Sequence, residues 1–248
     1  MSVSEKSRLV LGLQPVREAI RIHRSALLQV LVDARRTPQK DAIERFAIDQ
    51  GVQDVRRVAA LELDKIAAGV QHQGVAALAP PLKFLGLDDL VQDKNLVAVA
   101  LDEIQDPQNF GALVRSAVAI AGAAIIWGEH ASAPLSPAMA RTSAGAIEQA
   151  RLCRVQSLRD ALRCLADAQV QVIGLDPRAP TALHEIPLAG PTVLVIGSEH
   201  RGIGRGVRAC CTAFARLLSA GTLDSLNASV AAGIALHTVL ISRINSNG

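Results

Sequence analysis

The chain of 248 residues has no tyrosine, and Phe46, Phe84, Phe110, Phe214 and Trp127 are its whole aromatic set. Folds that read single strands by stacking bases on aromatic platforms are thereby disfavoured. Cysteine is sparse too. Cys153, Cys164, Cys210 and Cys211 show no C-x-x-C spacing, and two adjacent cysteines make a poor start for a disulfide framework. Reduced thiols and a cytoplasmic setting are the natural reading. No apolar run approaches the ~20 residues of a membrane span, and the stretch Met1 to Arg8 is polar and charged, so neither export nor a membrane is expected. The histidines form no metal-ligand spacing: His184-Glu185 lacks a second histidine and is followed by Pro187, so no metal is expected. A Gly-x-Ser-x-Gly elbow is absent, which argues against a serine hydrolase.

What is present is a globular composition. Half of the residues are apolar, and 26 Lys and Arg stand against 23 Asp and Glu. A net charge of +3 permits an anionic partner without requiring one.

Residues 1–80 mix short elements. Apolar stretches at Leu9 to Leu13, Leu27 to Val32 and Val75 to Leu78 read as strands, and Pro15 to His23 and Pro38 to Gln50 as helices. Arg21, Arg24, Arg35, Arg36, Arg56 and Arg57 are candidates for a phosphate-facing surface, set against the plainer reading of solvated helix faces. Pro80-Pro81 breaks regular structure, and residues 81–94 read as a linker. Beyond it, strands at Leu96 to Leu101, Ala123 to Trp127, Val170 to Leu175 and Thr192 to Ile196 alternate with helices at Asn109 to Ala121, Leu158 to Ala168 and Leu226 to Ile244. That alternation predicts a parallel α/β sheet over residues 95–248, covered on both faces.

In such sheets ligands lie beyond the carboxyl ends of the strands, and three loops there stand out. In the first, Asp106-Pro107 opens a helix as N-cap and first helical residue. Asn109 sits in that turn and Arg115 six residues on, so the two do not share a stripe. Arg115 lies among Ala112, Leu113, Val114, Ala117 and Val118, where burial without an anionic partner would be costly. The second loop, Gly197-Ser198-Glu199-His200-Arg201-Gly202-Ile203-Gly204, has the glycine separation of a phosphate loop. It lacks the Lys-Ser/Thr that must follow, and it lacks a dinucleotide fingerprint as well. It reads as a glycine loop that lets a ligand approach the backbone, with Glu199 either functional or a turn residue. The third, Gly221-Thr222-Leu223-Asp224-Ser225-Leu226-Asn227, precedes the last helix, and Ser225 alone would pass for a cap.

Together, in order and spacing, these three segments resemble the signature motifs of the SpoU (TrmH-like) RNA ribose 2'-O-methyltransferases. Arg141-Thr142-Ser143-Ala144-Gly145-Ala146-Ile147-Glu148, His72-Gln73-Gly74-Val75-Ala76 and Gly12-Leu13-Gln14-Pro15-Val16 extend the likeness toward the RlmB-type subgroup. The resemblance implies a catalytic domain with a deep trefoil knot (SPOUT) behind an L30e-like α/β substrate-binding domain. It also implies a homodimer through the last helix, with an active site drawing on both chains. S-adenosylmethionine is the implied cofactor and RNA the implied partner, a guanosine of 23S ribosomal RNA rather than DNA. On this resemblance Arg115 matches the catalytic arginine, and Asn109, Glu199, Ser225 and Asn227 match the other active-site positions. Gly197, Leu217 and Leu226 match the cofactor loops. One departure stands out: Leu217-Leu218-Ser219 replaces the family's usual Ile-Pro-Met, and losing the proline removes a stiffener of the cofactor loop. A transfer-RNA methyltransferase of the same family and a non-catalytic RNA-binding or ribosome-assembly protein are the alternatives. A nicotinamide-dependent oxidoreductase is more remote, because the loop from Asp102 to Gly111 lacks its glycines.

Overall fold

In the computed structural model, residues 7–129, 135–199, 201–219, 221 and 226–246 are described. The chain forms two compact units. One comprises residues 1–83 with 135–149, the other residues 84–134 with 150–248.

The first unit runs β1 (Arg8–Leu11), α1 (Leu13–His23), β2 (Gln29–Asp33), α2 (Pro38–Asp49), β3 (Val55–Val58), α3 (Ala60–Ala67) and β4 (Val75–Ala79). Its strand order is β1-β4-β2-β3, with β4 antiparallel to β1 and β2, and β3 parallel to β2. Alternation along the strands builds two cores. Val10, Val30, Val32, Val75 and Ala77 pack with Val16, Ala19 and Ile20 of α1 and with Ile43 and Ala47 of α2. Leu11, Leu31 and Ala76 pack with Leu63 and Ala67 of α3. The first strand is shorter than its apolar run, because Gly12 at φ 99° turns the chain straight into α1.

The second unit runs α4 (Leu87–Gln92), β5 (Val97–Leu101), α5 (Pro107–Ala121), β6 (Ala124–Gly128), then α6 (Pro137–Thr142) in a connection that leaves the unit. It resumes with β7 (Arg151–Val155), α7 (Leu158–Asp167), β8 (Gln171–Leu175), β9 (Thr192–Ile196), α8 (Arg205–Arg208), β10 (Ala213–Ala215) and α9 (Ala228–Ser246). The six-stranded sheet has the order β10-β8-β9-β5-β6-β7 and every pairing is parallel. On one face Ala98, Ala100, Ala124, Ile126, Val193 and Val195 pack with Leu90, Leu158, Leu162, Leu165 and Val207. The intervening Val99, Leu101, Ile125 and Leu194 are buried as well and turn to the other face, where α5 and α9 pack together over the strands.

Two expectations need correction. Residues 81–94 are not a free linker: Leu90 is fully buried with Leu87 and Val91 beside it, and the Leu85 N–H donates to the Leu152 carbonyl at 2.7 Å. The apolar side chains at Leu87, Leu90 and Val91 have helical spacing, which wins over the turn-prone residues around them. Among the described residues one helix, α9, is by length and composition apolar enough to cross a membrane, contrary to the expectation that no apolar run is long enough. Its inner side, Ala232, Ala235, Leu236 and Val239, is buried. Near its end the Arg243 guanidinium donates to the carbonyls of Asn95, Leu96, Leu188 and Gly190.

The connection at 135–149 belongs to the first unit. Gly145, at φ 82°, lies so close to α1 that a Cβ there would stand 2.9 Å from the Pro15 Cα and 2.7 Å from the Glu18 Cβ. Glu148 follows with its side chain wholly buried, hydrogen-bonded by Arg8 Nη1 at 2.8 Å and by His23 Nε2 at 2.8 Å. Burial pushes the Glu148 carboxyl up, but the bonds from His23 and Arg8 outweigh it and hold it below the usual glutamate range. The Arg141-to-Glu148 motif is thus a docking element for the first unit.

Candidate active site at the strand-order reversal

The sheet is built outward in both directions from β5 and β9. β6 and β7 extend it on one side and β8 and β10 on the other. A reversal of this kind leaves a crevice beyond the carboxyl ends of the two central strands. The loop before α5 leaves β5 there, and the glycine loop leaves β9.

The glycine loop is folded tightly. The Gly202 N–H donates to the Ser198 carbonyl at 2.8 Å, and Gly202 has φ 64°. A Cβ on Gly197 would stand 2.1 Å from the Gly202 carbonyl carbon and 2.3 Å from the Ile203 nitrogen, so only glycine fits. The loop is braced from below by Asp102, 8% exposed at the end of β5, whose carboxylate accepts the Gly204 N–H at 2.7 Å. Burial raises the Asp102 carboxyl above the usual range, and the Gly204 bond offsets part of that. Sequence reasoning passed over Asp102; its signal was a charged residue directly after five apolar ones in β5.

Three of the proposed site residues meet at this crevice. Asn109, in the first turn of α5, donates through Nδ2 to Glu199 Oε1 at 2.9 Å. Asn227 donates through Nδ2 to the same Glu199 oxygen at 2.8 Å and to Asn109 Oδ1 at 2.9 Å. The Asn227 amide is oriented by its second task. Its Oδ1 caps α9, accepting the Ser229 N–H at 2.9 Å, so its amino group must face the other two. The Glu199 carboxylate therefore sits where α5 and α9 both begin, against the positive ends of two helix dipoles. Its Oε2 makes no hydrogen bond among the described residues.

The remaining candidates make none of these contacts. Arg115 is exposed and has no hydrogen-bond or ion-pair partner among the described residues, so the reading of a buried, costly arginine does not hold. With Gln108, Ala112 and Ala119 it forms the stripe of α5 opposite the buried Phe110, Leu113, Val114 and Ala117, about 9 Å along the helix from Asn109. Beside that stripe, α9 turns outward the exposed side chains of Val230, Ile234, Ile241 and Ile244. Gly197 forms the base of the glycine loop. Leu217 is half-buried after β10, and Leu226, just before α9, is 41% exposed. Ser225 lies outside the described residues. The last helix begins at Ala228 with Asn227 as its cap, two residues later than the apolar pattern suggests.

Two other groups are chemically quiet. Burial pushes the Cys153 thiol up to about 11 and the Cys211 thiol up to about 12, away from thiolate chemistry. Among the described residues no group of three His, Cys, Asp or Glu could hold a metal ion.

Comparison with known proteins accounts for both units. Residues 96–237 match the SpoU rRNA Methylase family, and residues 9–85 match the RNA 2'-O ribose methyltransferase substrate binding family. A Mycolicibacterium vanbaalenii protein described as an uncharacterized tRNA/rRNA methyltransferase is 38% identical over 246 residues, covering 97% of this chain and 78% of its own. Among solved structures, the AdoMet-bound rRNA methyltransferase of Sinorhizobium meliloti is 26% identical with a TM-score of 0.75, covering 94% of this chain and 87% of its own. The SpoU methyltransferase AviRb of Streptomyces viridochromogenes, in complex with AdoMet, shares the fold at a TM-score of 0.76 and 22% identity, over 97% of this chain and 92% of its own. The fold, the three converging loops and the matched segments together establish that this chain belongs to the SpoU rRNA methylase family.

Proposed function

We propose that the protein is a cytoplasmic S-adenosylmethionine-dependent methyltransferase that modifies the ribose 2'-hydroxyl of a guanosine in 23S ribosomal RNA, as a homodimer whose methylase unit carries a deep trefoil knot. The observation that carries this reading is the convergence of Asn109, Glu199 and Asn227 at the strand-order reversal.

Gly197 lets the loop after β9 fold back on its own backbone at Gly202 and Ile203, which shapes the crevice wall, and Leu218 and Leu226, 67% and 41% exposed, are apolar groups that a bound adenosyl group would cover. When bound, S-adenosylmethionine supplies the sulfonium methyl group. The protein's own task is to hold and deprotonate a hydroxyl that is a poor nucleophile at neutral pH. Glu199, fixed through one oxygen by two amides, offers its other oxygen to a donor on the substrate. Arg115, always charged, suits a phosphate beside the reacting ribose and the alkoxide that forms. We assign it this electrostatic role, with proton removal as the further hypothesis. Its exposed position beside the apolar stripe of Val230, Ile234, Ile241 and Ile244 supports a dimer in which one chain's Arg115 serves the partner's crevice.

Transfer RNA is the second reading, because the Mycolicibacterium vanbaalenii relative is described as a tRNA/rRNA methyltransferase. Ribose-methylation mapping of both RNA classes in a deletion strain separates the two. Loss of one guanosine signal in 23S RNA is expected, and loss of a transfer-RNA signal transfers the assignment. A strain with no lost signal, together with purified protein that transfers no methyl group, would leave the reaction without support.

A further inference from the structure

His72, Gln73 and Gly74 take no part in the crevice, yet the loop that holds them is fixed from every side. Gln73 has φ 54°, left-handed backbone that a non-glycine residue adopts only when its surroundings over-determine it, and Gly74 follows at φ 79°. The Gly74 N–H donates to His72 Nδ1 at 3.0 Å, so Nδ1 carries no proton in this bond and Nε2 donates to Asp64 Oδ1 at 3.0 Å. Gln73 Oε1 accepts the Leu13 N–H at 3.0 Å, and Gln71 Oε1 accepts from Arg141 Nη1 at 3.3 Å. The Lys40 side chain lies against Gly74, its ammonium bonded to Asp33 and to the Arg35 carbonyl. Around this hydrogen-bonded loop is a shallow, solvent-open cavity of about 500 Å³, lined by Asp64, Ala67 and residues 69–74.

We propose that this cavity anchors one unpaired guanine of the RNA substrate, with Arg36 and Arg141 on the flanking phosphates. The inference rests on the RNA methyltransferase reading and adds to it a contact in the substrate-binding unit. The volume falls within the range of small-ligand sites. No aromatic side chain lines the cavity, so recognition runs through the base edge, and Ala67 and Val70 give the base an apolar surface. The Asp64 carboxylate, its side chain 63% exposed, keeps accepting capacity beyond the His72 bond. Guanine presents two adjacent N–H donors to a carboxylate, N1–H and the N2 amino group; adenine places an acceptor at N1, which a carboxylate repels. The amino groups of Gln71 and Gln73, whose oxygens are engaged, remain as donors for the guanine O6. A loop already locked in its bound shape loses little freedom on binding. Arg36 follows β2, and its guanidinium has no hydrogen bond or ion pair among the described residues, as a phosphate contact requires.

The test is fluorescence anisotropy of the full chain with two single-stranded RNA octamers, uridine throughout except for a central guanosine in one and a central adenosine in the other. The guanosine octamer is expected to bind about tenfold more tightly. Asp64→Asn removes that preference with the unfolding midpoint unchanged, and Gln71→Ala reduces it. Arg36→Ala weakens both octamers alike and flattens the salt dependence. Equal affinity for the two octamers in the wild type, or a preference that survives Asp64→Asn, overturns the proposal. Methyl transfer from labelled S-adenosylmethionine to total ribosomal and transfer RNA is measured separately. Its failure removes the parent reading, while the octamer ratio still decides the pocket.

Discussion

Glu148→Gln keeps the volume of a wholly buried side chain and deletes the charge that neutralises Arg8 and accepts the His23 Nε2 bond; the Arg8 and His23 side chains are 21% and 17% exposed. Breaking a buried ion pair by removing one partner costs about 3–5 kcal/mol. Here the residual exposure lets water reach Arg8 and His23, and the glutamine oxygen still accepts one bond, which brings the expected loss to about 2 kcal/mol. At roughly 2–4 °C per kcal/mol for a chain of this size, the midpoint falls by about 4–8 °C. Two units need not unfold together, so thermal melts are best paired with hydrogen exchange of α1 and residues 146–148, where protection should fall first. The pH dependence has a definite sign. The folded Glu148 titrates below its unfolded value, so its stabilisation is present above the ordinary glutamate pKa and is lost as the pH falls through the lowered one. The gap between wild type and variant should therefore hold from pH 7 to 5 and narrow below about pH 4. A loss under about 0.5 kcal/mol at pH 7, or a gap that widens on acidification, would refute the account of Glu148 as the charge on which this docking depends.

Arg115→Lys keeps the charge and loses the fork. Turnover should drop by about a hundredfold or more while calorimetric affinity for S-adenosylmethionine stays within twofold, and a fully active variant defeats the assigned role. Gly197→Ala drives a Cβ into the Gly202-Ile203 backbone, which cannot yield as a side chain would. It should destabilise by about 1–3 kcal/mol and abolish cofactor binding, and wild-type calorimetry for this variant contradicts that geometry. With Leu218 in place of the family's usual proline, the wild-type dissociation constant for S-adenosylmethionine is expected to be weaker than micromolar. Leu218→Pro should tighten it by about two- to fivefold; a micromolar or better wild-type value removes the premise.

How far the sequence could be read depends on what each element needs. β9 coincides with its apolar run, because Thr192 to Ile196 is buried throughout and bounded by Pro191 and Gly197. β7 escaped notice because Arg151 and Arg154 interrupt it; as an edge strand it can pair them outward with Asp93 and Glu129. β10, three residues long at the opposite edge, offers too little pattern to detect. The three motif loops were visible singly, but their meeting depends on the strand order, which joins Asn109, Glu199 and Asn227 across long stretches of chain. Arg115 misled because alanine reads as apolar without reporting burial, and Ala112 lies on the open side of α5. Nothing in the alternation of elements signals that residues 135–149 leave the methylase sheet to pack on α1.

That excursion carries a lesson for anyone who would cut the gene in two. The polypeptide passes from one unit to the other three times. A fragment ending at residue 83 would therefore present Arg8 and His23 without the carboxylate that both of them bond, and a bare shelf at Pro15 where a glycine once fitted. A chimera that grafts this substrate-binding half onto another methylase must carry the fifteen-residue guest along with its host, or it transplants an unfinished surface.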